Sequence, residues 1–338
     1  MLLLAGCGPP SSATLRLAET RRLMGVPWTI TVCVPDDTTG RRAIAAGFAE
    51  IERLARILSD YDPESELSRL SAAAPMAAAT PVSRDLWRVL EQAVALRDRT
   101  GGSFDPAVGR LTTLWRQARR SQRPPIREKL DAARATVGPD ALVLDPDTCG
   151  ARLPKPGTRL DLGGIGMGYA ADRALEAIAA AGVTAAMIDA SGDVAVSAAP
   201  PGSAGWRIAV AAFGPGSTDR SQQGDSLLLA DAAVTTSGDA FQAVEIDGRR
   251  YSHIVDPRTG LGVAGPAAVT VIAPDCTTAD ALATAASVLG PEQGLSLVAA
   301  TPGCAARFVW RDGDSTRTAA TASWPAHLST SPTASARP

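Results

Sequence analysis

Hydrophobic and polar positions recur along this chain with two different periods, and these periods predict its elements. Residues 28–34 (WTITVCV) alternate between apolar and polar side chains, as a half-buried strand does. Residues 41–58 instead place Ile44, Phe48 and Ile51 on one face at helical spacing, which predicts an amphipathic helix. The N-terminal part is therefore predicted to run from a strand into a helix.

The middle of the chain predicts a strand, a glycine-rich turn, a helix and a second strand in succession. These segments are, in order, 158–162, 163–168, 169–181 and 185–189. A strand, a helix and a further strand in this order predict a βαβ-like unit.

The other elements follow without a regular alternation of strands and helices. The remaining predicted strands are 207–212, 227–230, 240–246, 267–272 and 307–310. The remaining predicted helices are 84–99, 126–137, 278–289 and 292–299. A polar, glycine-rich loop over 213–225 lies between two of the strands. Because strands and helices are mixed irregularly, the fold class is predicted to be α+β.

The charge balance argues against one broad class of partner. The 338 residues include 33 Lys and Arg against 35 Asp and Glu, for a formal net charge of −2. Since there is no basic excess and only 4% of the residues are aromatic, no nucleic-acid partner is expected. No run of about 18 apolar residues occurs, so no membrane-spanning helix is expected.

Cysteine usage disfavours a zinc site and points instead to a lipid anchor. The five cysteines lie far apart, with no C-x-x-C pair and only two histidines in the chain. Cys7 ends the string MLLLAGC, which is typical of a bacterial lipoprotein signal, although the string can also arise by chance. The lipoprotein interpretation predicts lipidation of Cys7, export, and a membrane anchor facing the periplasm or the outer surface.

The two ends of the chain differ in composition from the part between them. Residues 1–20 are assigned to the signal and a tether rich in Gly, Pro and Ser. Residues 321–338 are rich in Ser, Thr, Ala and Pro, so they are expected to be disordered. Residues 21–320 form the expected globular domain.

The run GMGYAA at 166–171 matches a dinucleotide-binding fingerprint. It follows a predicted strand, opens a predicted helix, and has Asp189 about twenty residues further on. This match leaves an NAD(P)-dependent oxidoreductase as one interpretation, although a single match is weak. In any fold, such glycines let the backbone approach a ligand closely, and the helix N-terminus favours phosphate.

The run TADALAT at 278–284 offers two oxygen ligands on one helical face. Asp280 and Thr284 are four residues apart, so their carboxylate and hydroxyl groups point the same way. A hard cation such as Mg²⁺ takes one or two protein carboxylates and completes its shell with phosphate and water. The alternative is an ordinary capped helix, with Thr277 or Thr278 as the N-cap.

The run YSHIVDPRTG at 251–260 gathers charged and titratable groups around a turn. It contains His253, Asp256 and Arg258 beside a proline and a glycine. A turn of this composition on a rigid scaffold is a plausible place for site residues, whereas an isolated histidine is more often structural. Spacing alone does not decide between the two.

Taken together, the motifs resemble the ApbE flavin transferases over nearly the whole chain. The matching segments are LMG (23–25), LSDYDPESELSRL (58–70), GGSFDPAVGRLTTLW (101–115), LDLGGIGMGYAAD (160–172), ASGD (190–193), TTSGDAF (235–241), YSHIVDPRTG and ADALATAASVLG (279–290). Each block is weak alone, but their order and spacing make the resemblance specific. It implies an α+β fold of the ApbE type, related to the T-fold, with mixed sheets and packed helices.

The resemblance also implies an activity and a site. Proteins of this family transfer the FMN half of FAD to a Thr or Ser hydroxyl of an acceptor redox protein, with Mg²⁺, and release AMP. By resemblance, Asp280, Thr284 and the carbonyl of Gly164 bind Mg²⁺, while His253 acts in catalysis and Asp256 orients it or replaces it. The positions that resemble the FAD-lining residues are Met24, Tyr61, Ser103, Phe104, Asp105, Asp161, Met167 and Ile254.

One departure from the family pattern keeps other interpretations open. Many relatives carry lysine where this chain has Met167, so a cationic contact to the flavin nucleotide is missing. A lipoprotein that only binds FAD, or that hydrolyses it to FMN and AMP, is therefore the alternative to a transferase.

Overall fold

The computed structural model describes residues 14–210, 226–238, 243–246, 249–264, 267–313 and 315–328. The helices are α1 (Asp37–Leu58), α2 (Glu66–Ala72), α3 (Arg84–Arg99), α4 (Gly109–Ser121), α5 (Arg127–Arg134), α6 (Gly166–Ala180) and α7 (Cys276–Ala299). The strands are β1 (Leu15–Leu23), β2 (Val26–Val34), β3 (Thr80–Pro81), β4 (Val143–Asp145), β5 (Gly150–Arg152), β6 (Ala185–Asp189), β7 (Asp193–Val196), β8 (Trp206–Ala209), β9 (Ser226–Leu229), β10 (Ala232–Gly238), β11 (Ala243–Ile246), β12 (Arg249–Val255), β13 (Gly262–Ala264), β14 (Ala267–Ala273), β15 (Ala305–Asp312) and β16 (Ser315–Ala320).

An eight-stranded sheet forms the framework of the described residues. Its strand order is β1-β2-β6-β7-β10-β14-β15-β16, and every neighbouring pair is antiparallel. Shorter sheets are formed by β11-β12-β13, by β3-β5-β4 and by β8-β9. An antiparallel sheet with helices packed against it is an α+β architecture, so the predicted fold class is confirmed.

The predicted βαβ unit is wrong, although its helix and second strand are present. Residues 158–162 form an irregular segment whose backbone groups bond outside any sheet ladder. Leu160 N–H donates to the Ser71 hydroxyl, and Asp161 N–H donates to the Pro106 carbonyl. The strand β6 pairs antiparallel with β2 and β7. The hydrogen-bond partners of residues 158–162 are distant in the sequence. A short apolar run does not reveal such partners, although they determine whether the run forms a strand.

Helices α1, α6 and α7 cover one face of the sheet and enclose the main core. Phe48, Ile178 and Phe308 are each almost fully buried there. A Cβ at Gly47 of α1 would lie 2.8 Å from the Ile30 side chain and 2.9 Å from that of Ile178. Glycine at this position therefore lets α1 pack closely against both strand β2 and helix α6.

The opposite face of the sheet carries a second core, and this core corrects the predicted tail. Trp206 and Leu227 of the β8-β9 ribbon are buried against the sheet. Trp324, in a 3₁₀ turn at Trp324–His327, is only 3% exposed within the same cluster. Residues 321–328 thus belong to the folded domain, because their tryptophan closes this core. Residues 329–338 lie outside the described residues.

The predicted tether is also too long. Strand β1 pairs with β2 along its whole length, from Leu15 opposite Val34 to Leu23 opposite Val26. Residues 15–20 are therefore part of the sheet, so the globular domain begins before residue 21. As an edge strand, β1 exposes many of its side chains, which explains its weak hydrophobic pattern. Cys7 lies outside the described residues.

Helix α7 is interrupted where the sequence predicts a boundary between two helices. Gly290 has φ 79° and ψ 178°, and Pro291 follows it. Since proline has no N–H to donate and glycine tolerates a positive φ, this pair ends one helical segment and begins the next. Within the part of the chain that the structure describes, no helix is both long and apolar enough to cross a membrane.

Candidate active site

Helices α6 and α7 pack tightly against each other at Gly168. A Cβ at this position would lie 2.2 Å from the Cys276 carbonyl oxygen and 2.9 Å from the Cβ of Asp280. The Gly168 N–H donates to an Asp280 carboxylate oxygen at 3.2 Å. The second glycine of GMGYAA thus serves helix packing. Because no strand precedes this helix, the structural context of a dinucleotide fingerprint is missing.

Asp280 is buried among other carboxylates. Its exposed fraction is 3%, and burial raises its pKa well above the usual range, with Asp193 and Asp172 adding to the shift. Asp193 is itself buried in β7 opposite Thr235 of β10, and burial raises its pKa to about 7. Buried negative charge of this kind is stabilised by a cation.

Thr284 lies one helical turn beyond Asp280 and faces the glycine turn. A Cβ added to Gly164 would lie 2.8 Å from the Thr284 hydroxyl oxygen. Thr284 is half-buried, and its hydroxyl makes no hydrogen bond to any residue that the structure describes. The three predicted metal-binding positions therefore come together on adjacent elements.

The donors at this position suit a hard cation. A carboxylate, a hydroxyl and a backbone carbonyl are all oxygen ligands, which Mg²⁺ prefers. No group of three or more His, Cys, Asp or Glu side chains able to hold a metal occurs among the described residues. In Mg²⁺ sites generally, one or two protein carboxylates bind the ion, and phosphate and water complete the shell. The residues present therefore fit Mg²⁺, with Thr284 against Gly164 and the buried carboxylate of Asp280 one helical turn away.

Replacing Thr284 with valine is expected to weaken Mg²⁺ binding about tenfold, because the shape of the side chain is kept and one oxygen ligand is lost. Thermal stability is expected to change little, since the hydroxyl makes no protein hydrogen bond in the described structure. Calorimetric titration of Mg²⁺ checks this. Ser287→Ala on the same helix is the control, because the Ser287 hydroxyl is buried without a partner. Equal Mg²⁺ affinity in both variants would exclude Thr284 as a ligand.

Asp172 of α6 fixes the N-terminus of α7. Its carboxylate accepts hydrogen bonds from the backbone N–H groups of Cys276 and Thr277, both at 2.8 Å, and from the Thr277 hydroxyl. Burial raises the pKa of Asp172 to about 6. The N-cap is Asp275, which accepts from Thr278 N–H, so neither predicted threonine cap is present.

Asp172→Ala is expected to lower the free energy of unfolding by about 2 kcal/mol, because three hydrogen bonds at a helix N-terminus are lost together. Urea denaturation followed by circular dichroism measures this change. An exposed substitution on the same helix, Glu176→Ala, is the matched control. A difference between the two variants below about 0.5 kcal/mol would contradict the capping role.

A second group of site residues lies around Arg116 of α4. Its guanidinium donates to Asp60 and, at 2.8 Å, to Asp161. It also lies 4.2 Å from the centre of the Tyr61 ring, and Tyr61 is 73% exposed. Asp161 accepts a further hydrogen bond from Gly163 N–H at 2.8 Å. The predicted FAD-lining positions 61 and 161 are thus joined by one arginine next to the glycine turn.

The predicted FAD-lining run at 103–105 is buried. Ser103 is 1% exposed and its hydroxyl has no hydrogen-bond partner, while Phe104 lies in the main core. Asp105 accepts from the N–H groups of Ala107 and Gly138, which leaves its carboxylate engaged with local backbone. Contact between this run and FAD stays a prediction.

The other predicted FAD-lining residues are partly buried. Met24 has φ 48° at the turn between β1 and β2, and it packs against the main core. Met167, in the first turn of α6, also packs against this core. Ile254 lies on β12 and is half-buried. The structure leaves each of them partly accessible to a ligand.

The two candidate bases lie in different local structures, His253 on strand β12 and Asp256 at the start of the turn that follows it. His253 lies on β12 with an exposed side chain. Both carboxylate oxygens of Asp256 accept from the Arg258 guanidinium at 3.0 Å, and its backbone carbonyl accepts from Gly260 N–H. Trp115 Nε1–H donates to the Gly260 carbonyl at 2.8 Å and holds this turn against α4. Asp256 is therefore engaged in closing the turn, and the choice between His253 and Asp256 as the proton acceptor stays a prediction.

Comparison with known proteins decides the family. The sequence model of the ApbE family matches residues 24–308. The chain belongs to the ApbE family. The FAD:protein FMN transferase of Vibrio cholerae is 31% identical over 89% of this chain and 88% of its own length. The FAD:protein FMN transferase of Treponema pallidum is 31% identical over 80% of this chain and 77% of its own length.

Solved ApbE structures share the fold. The apo flavinyl transferase ApbE of Pseudomonas stutzeri has a TM-score of 0.80 at 29% identity, covering 94% of this chain and 98% of that one. The flavin transferase ApbE of Vibrio cholerae has a TM-score of 0.81 at 26% identity, covering 94% of this chain and all of its own. The predicted ApbE resemblance and the prediction of a transferase enzyme are both confirmed.

Several residues that contact or surround the predicted site positions were missed by sequence reasoning. Arg116 directly follows a recognised motif, yet its partners are 56 and 45 residues away along the chain. Asp193 ends the motif ASGD, but its relation to Asp280 depends on the β7–β10 pairing. Asp172 ends the motif LDLGGIGMGYAAD, but its contact with the N-terminus of α7 spans more than a hundred residues, so no local pattern predicts it. Each one acts through long-range packing.

Proposed function

We propose that this protein is a Mg²⁺-dependent FAD:protein FMN transferase. It transfers the FMN moiety of FAD to a Thr or Ser hydroxyl of an acceptor redox protein and releases AMP. The observation that supports the proposal most strongly is the packing of the helix that carries Asp280 and Thr284 against the glycine turn. Thr284 lies against Gly164, Gly168 N–H donates to Asp280, and Asp161 accepts from Gly163 N–H. The names of the Vibrio cholerae and Treponema pallidum relatives support the same reaction.

The cation site neutralises charge that the substrate brings. Asp280, Thr284 and the Gly164 carbonyl would hold Mg²⁺, which would supply positive charge to stabilise the negative charge of the FAD pyrophosphate. Helix α6 begins at Gly166, directly after this turn, and two N–H groups of its first turn are already engaged, since Gly166 N–H donates to the Leu162 carbonyl and Gly168 N–H donates to Asp280. Met167 adds no positive charge there, so the cation would supply most of the attraction for the FAD phosphates.

The transfer step exchanges one phosphorus–oxygen bond for another. The acceptor hydroxyl oxygen bonds to the FMN phosphorus as the bond from that phosphorus to the AMP oxygen breaks, and AMP leaves with the electron pair. The hydroxyl proton passes to His253, whose exposed position on β12 is open to a partner protein. Arg258 and Trp115 hold the following turn, which fixes the end of β12.

The acceptor and the location follow from the same proposal. An exposed histidine suits a protein acceptor, since the hydroxyl arrives on another molecule. With a lipid anchor at Cys7, the protein faces the periplasm or the outer surface, and its acceptors are exported or membrane redox proteins. Palmitate labelling of the Cys7→Ser variant tests the anchor, and incorporation equal to that of the wild type would exclude it.

The activity is tested by incubating the purified protein with FAD, Mg²⁺ and an acceptor domain that carries a threonine flavinylation site. A transferase gives a fluorescent acceptor band on a denaturing gel, because FMN is covalently attached, and it releases one AMP for each acceptor molecule modified. A hydrolase gives AMP and free FMN without a band, because water replaces the acceptor hydroxyl. A carrier that only binds FAD gives neither, and either of these two results would contradict the transferase.

A further inference from the structure

Arg116 joins three groups that come from separate parts of the chain. Its guanidinium donates to the carboxylates of Asp60 and Asp161 and lies 4.2 Å from the centre of the Tyr61 ring. Its side chain is 20% exposed, against 8% for Asp60 and 5% for Asp161. One planar side chain therefore ties α4 to the segment after α1 and to the segment that precedes the glycine turn.

The planar guanidinium of arginine suits the contacts made at position 116. A guanidinium carries five N–H donors in a rigid plane, so it can bind two carboxylates at its edge while its face stacks on an aromatic ring. A lysine ammonium at the same place is a single point charge without a stacking face. Burial and the charge of Asp161 raise the pKa of Asp60, and the pairing with Arg116 opposes that shift.

Each carboxylate partner extends the contact further into the site. Asp161 accepts from the Thr112 hydroxyl at 2.6 Å and from Gly163 N–H at 2.8 Å. The next residue, Gly164, lies against Thr284. Asp60 accepts at its backbone carbonyl from Arg159 at 2.7 Å, which anchors the segment that carries the exposed Tyr61 ring.

We propose that Arg116 is a positioning residue for FAD. It holds the Tyr61 ring as a rigid wall of the FAD site and, through Asp161, fixes the turn that carries Gly164. This role rests on the proposed function, because the resemblance assigns Tyr61 and Asp161 to the FAD site. Arg116 acts through these partners and touches neither the phosphorus nor the acceptor hydroxyl.

The test compares Arg116→Lys with Arg120→Lys, an exposed position on the same helix. FAD affinity is measured by titration of flavin fluorescence, without acceptor protein. Arg116→Lys is expected to raise the dissociation constant of FAD about tenfold, because positive charge is kept while the planar contacts are lost. Arg120→Lys is expected to leave the constant unchanged. Equal FAD affinity in the two variants would overturn the positioning role.

A double-mutant cycle with Tyr61→Leu separates positioning from general loss of structure. Tyr61 is exposed, so this substitution is expected to leave folding intact and by itself to weaken FAD binding. In the Tyr61→Leu background, Arg116→Lys is expected to weaken binding by only about threefold, because the ring contact is gone and only the contact through Asp161 is left to lose. The same tenfold loss in both backgrounds would overturn the proposal.

The binding measurement keeps the two claims apart. A wild-type protein that binds FAD but transfers no FMN contradicts the proposed transferase, while the variants still report on Arg116. A wild-type protein that transfers FMN, together with an Arg116→Lys variant of unchanged FAD affinity, supports the transferase and overturns the positioning role.

Discussion

Asp280→Asn is expected to reduce FMN transfer at least about a hundredfold, because the only carboxylate among the three proposed Mg²⁺ ligands is replaced by a neutral amide. The shape of the side chain is kept, and the bond from Gly168 N–H can still form to the amide oxygen. Burial favours the neutral form of Asp280 and so raises its pKa. A neutral asparagine is therefore expected to be tolerated at this buried position. The variant is therefore expected to be folded and to have lost Mg²⁺ binding.

The controls for Asp280→Asn distinguish a lost ligand from a lost fold. Ser287→Ala on the same helix is expected to keep both transfer and Mg²⁺ binding. Because the pKa of Asp280 is raised, a proton competes with the cation, and the apparent Mg²⁺ affinity of the wild type is expected to increase with pH. Transfer by Asp280→Asn at the wild-type rate and at the same Mg²⁺ concentration would refute the assigned ligand.

Gly168→Ala is expected to lower the free energy of unfolding by about 3 kcal/mol or more, since its Cβ would lie 2.2 Å from the Cys276 carbonyl oxygen. The obstructing atom belongs to the backbone, so α6 and α7 must move apart. Their separation displaces Asp280 from the glycine turn, and FMN transfer is expected to fall together with stability. Chemical denaturation and the transfer assay measure the two effects.

Gly166→Ala is the matched control for this substitution. It lies two residues earlier in the same helix, where a Cβ would meet Leu162 at 3.6 Å, an ordinary contact. A gain of at most about 1 kcal/mol is expected there, because alanine favours the helix over glycine. If both substitutions had the same effect on stability, the close approach of the two helices at Gly168 would be disproved.

Local periodicity predicted the elements that bury one face along their length. The helix over 84–99 is confirmed, and the helix predicted over 41–58 is present as Asp37–Leu58. The elements that were missed depend on distant partners. Helix α4 was not predicted, although Trp115 anchors it to the turn at Gly260. Strand β1 was not predicted either, because as an edge strand it exposes many of its side chains and has no clear hydrophobic alternation.

The candidate site was predictable to the extent that its residues lie within short motifs. Asp280 and Thr284 are one helical turn apart, so a local pattern reveals them. Their approach to the glycine turn is a tertiary contact, and it came into the prediction only through the family resemblance. The buried charges around them could not be inferred, because Asp193 and Arg116 reach the site through sheet pairing and helix packing.

The most direct test of the central claim is the position of a divalent cation in crystals of this protein grown with FAD and Mn²⁺, which substitutes for Mg²⁺ and scatters anomalously. The account predicts one anomalous peak about 2.2 Å from the oxygens of the Asp280 carboxylate, the Thr284 hydroxyl and the Gly164 carbonyl. A peak bound elsewhere, with these three oxygens free of metal, would contradict it.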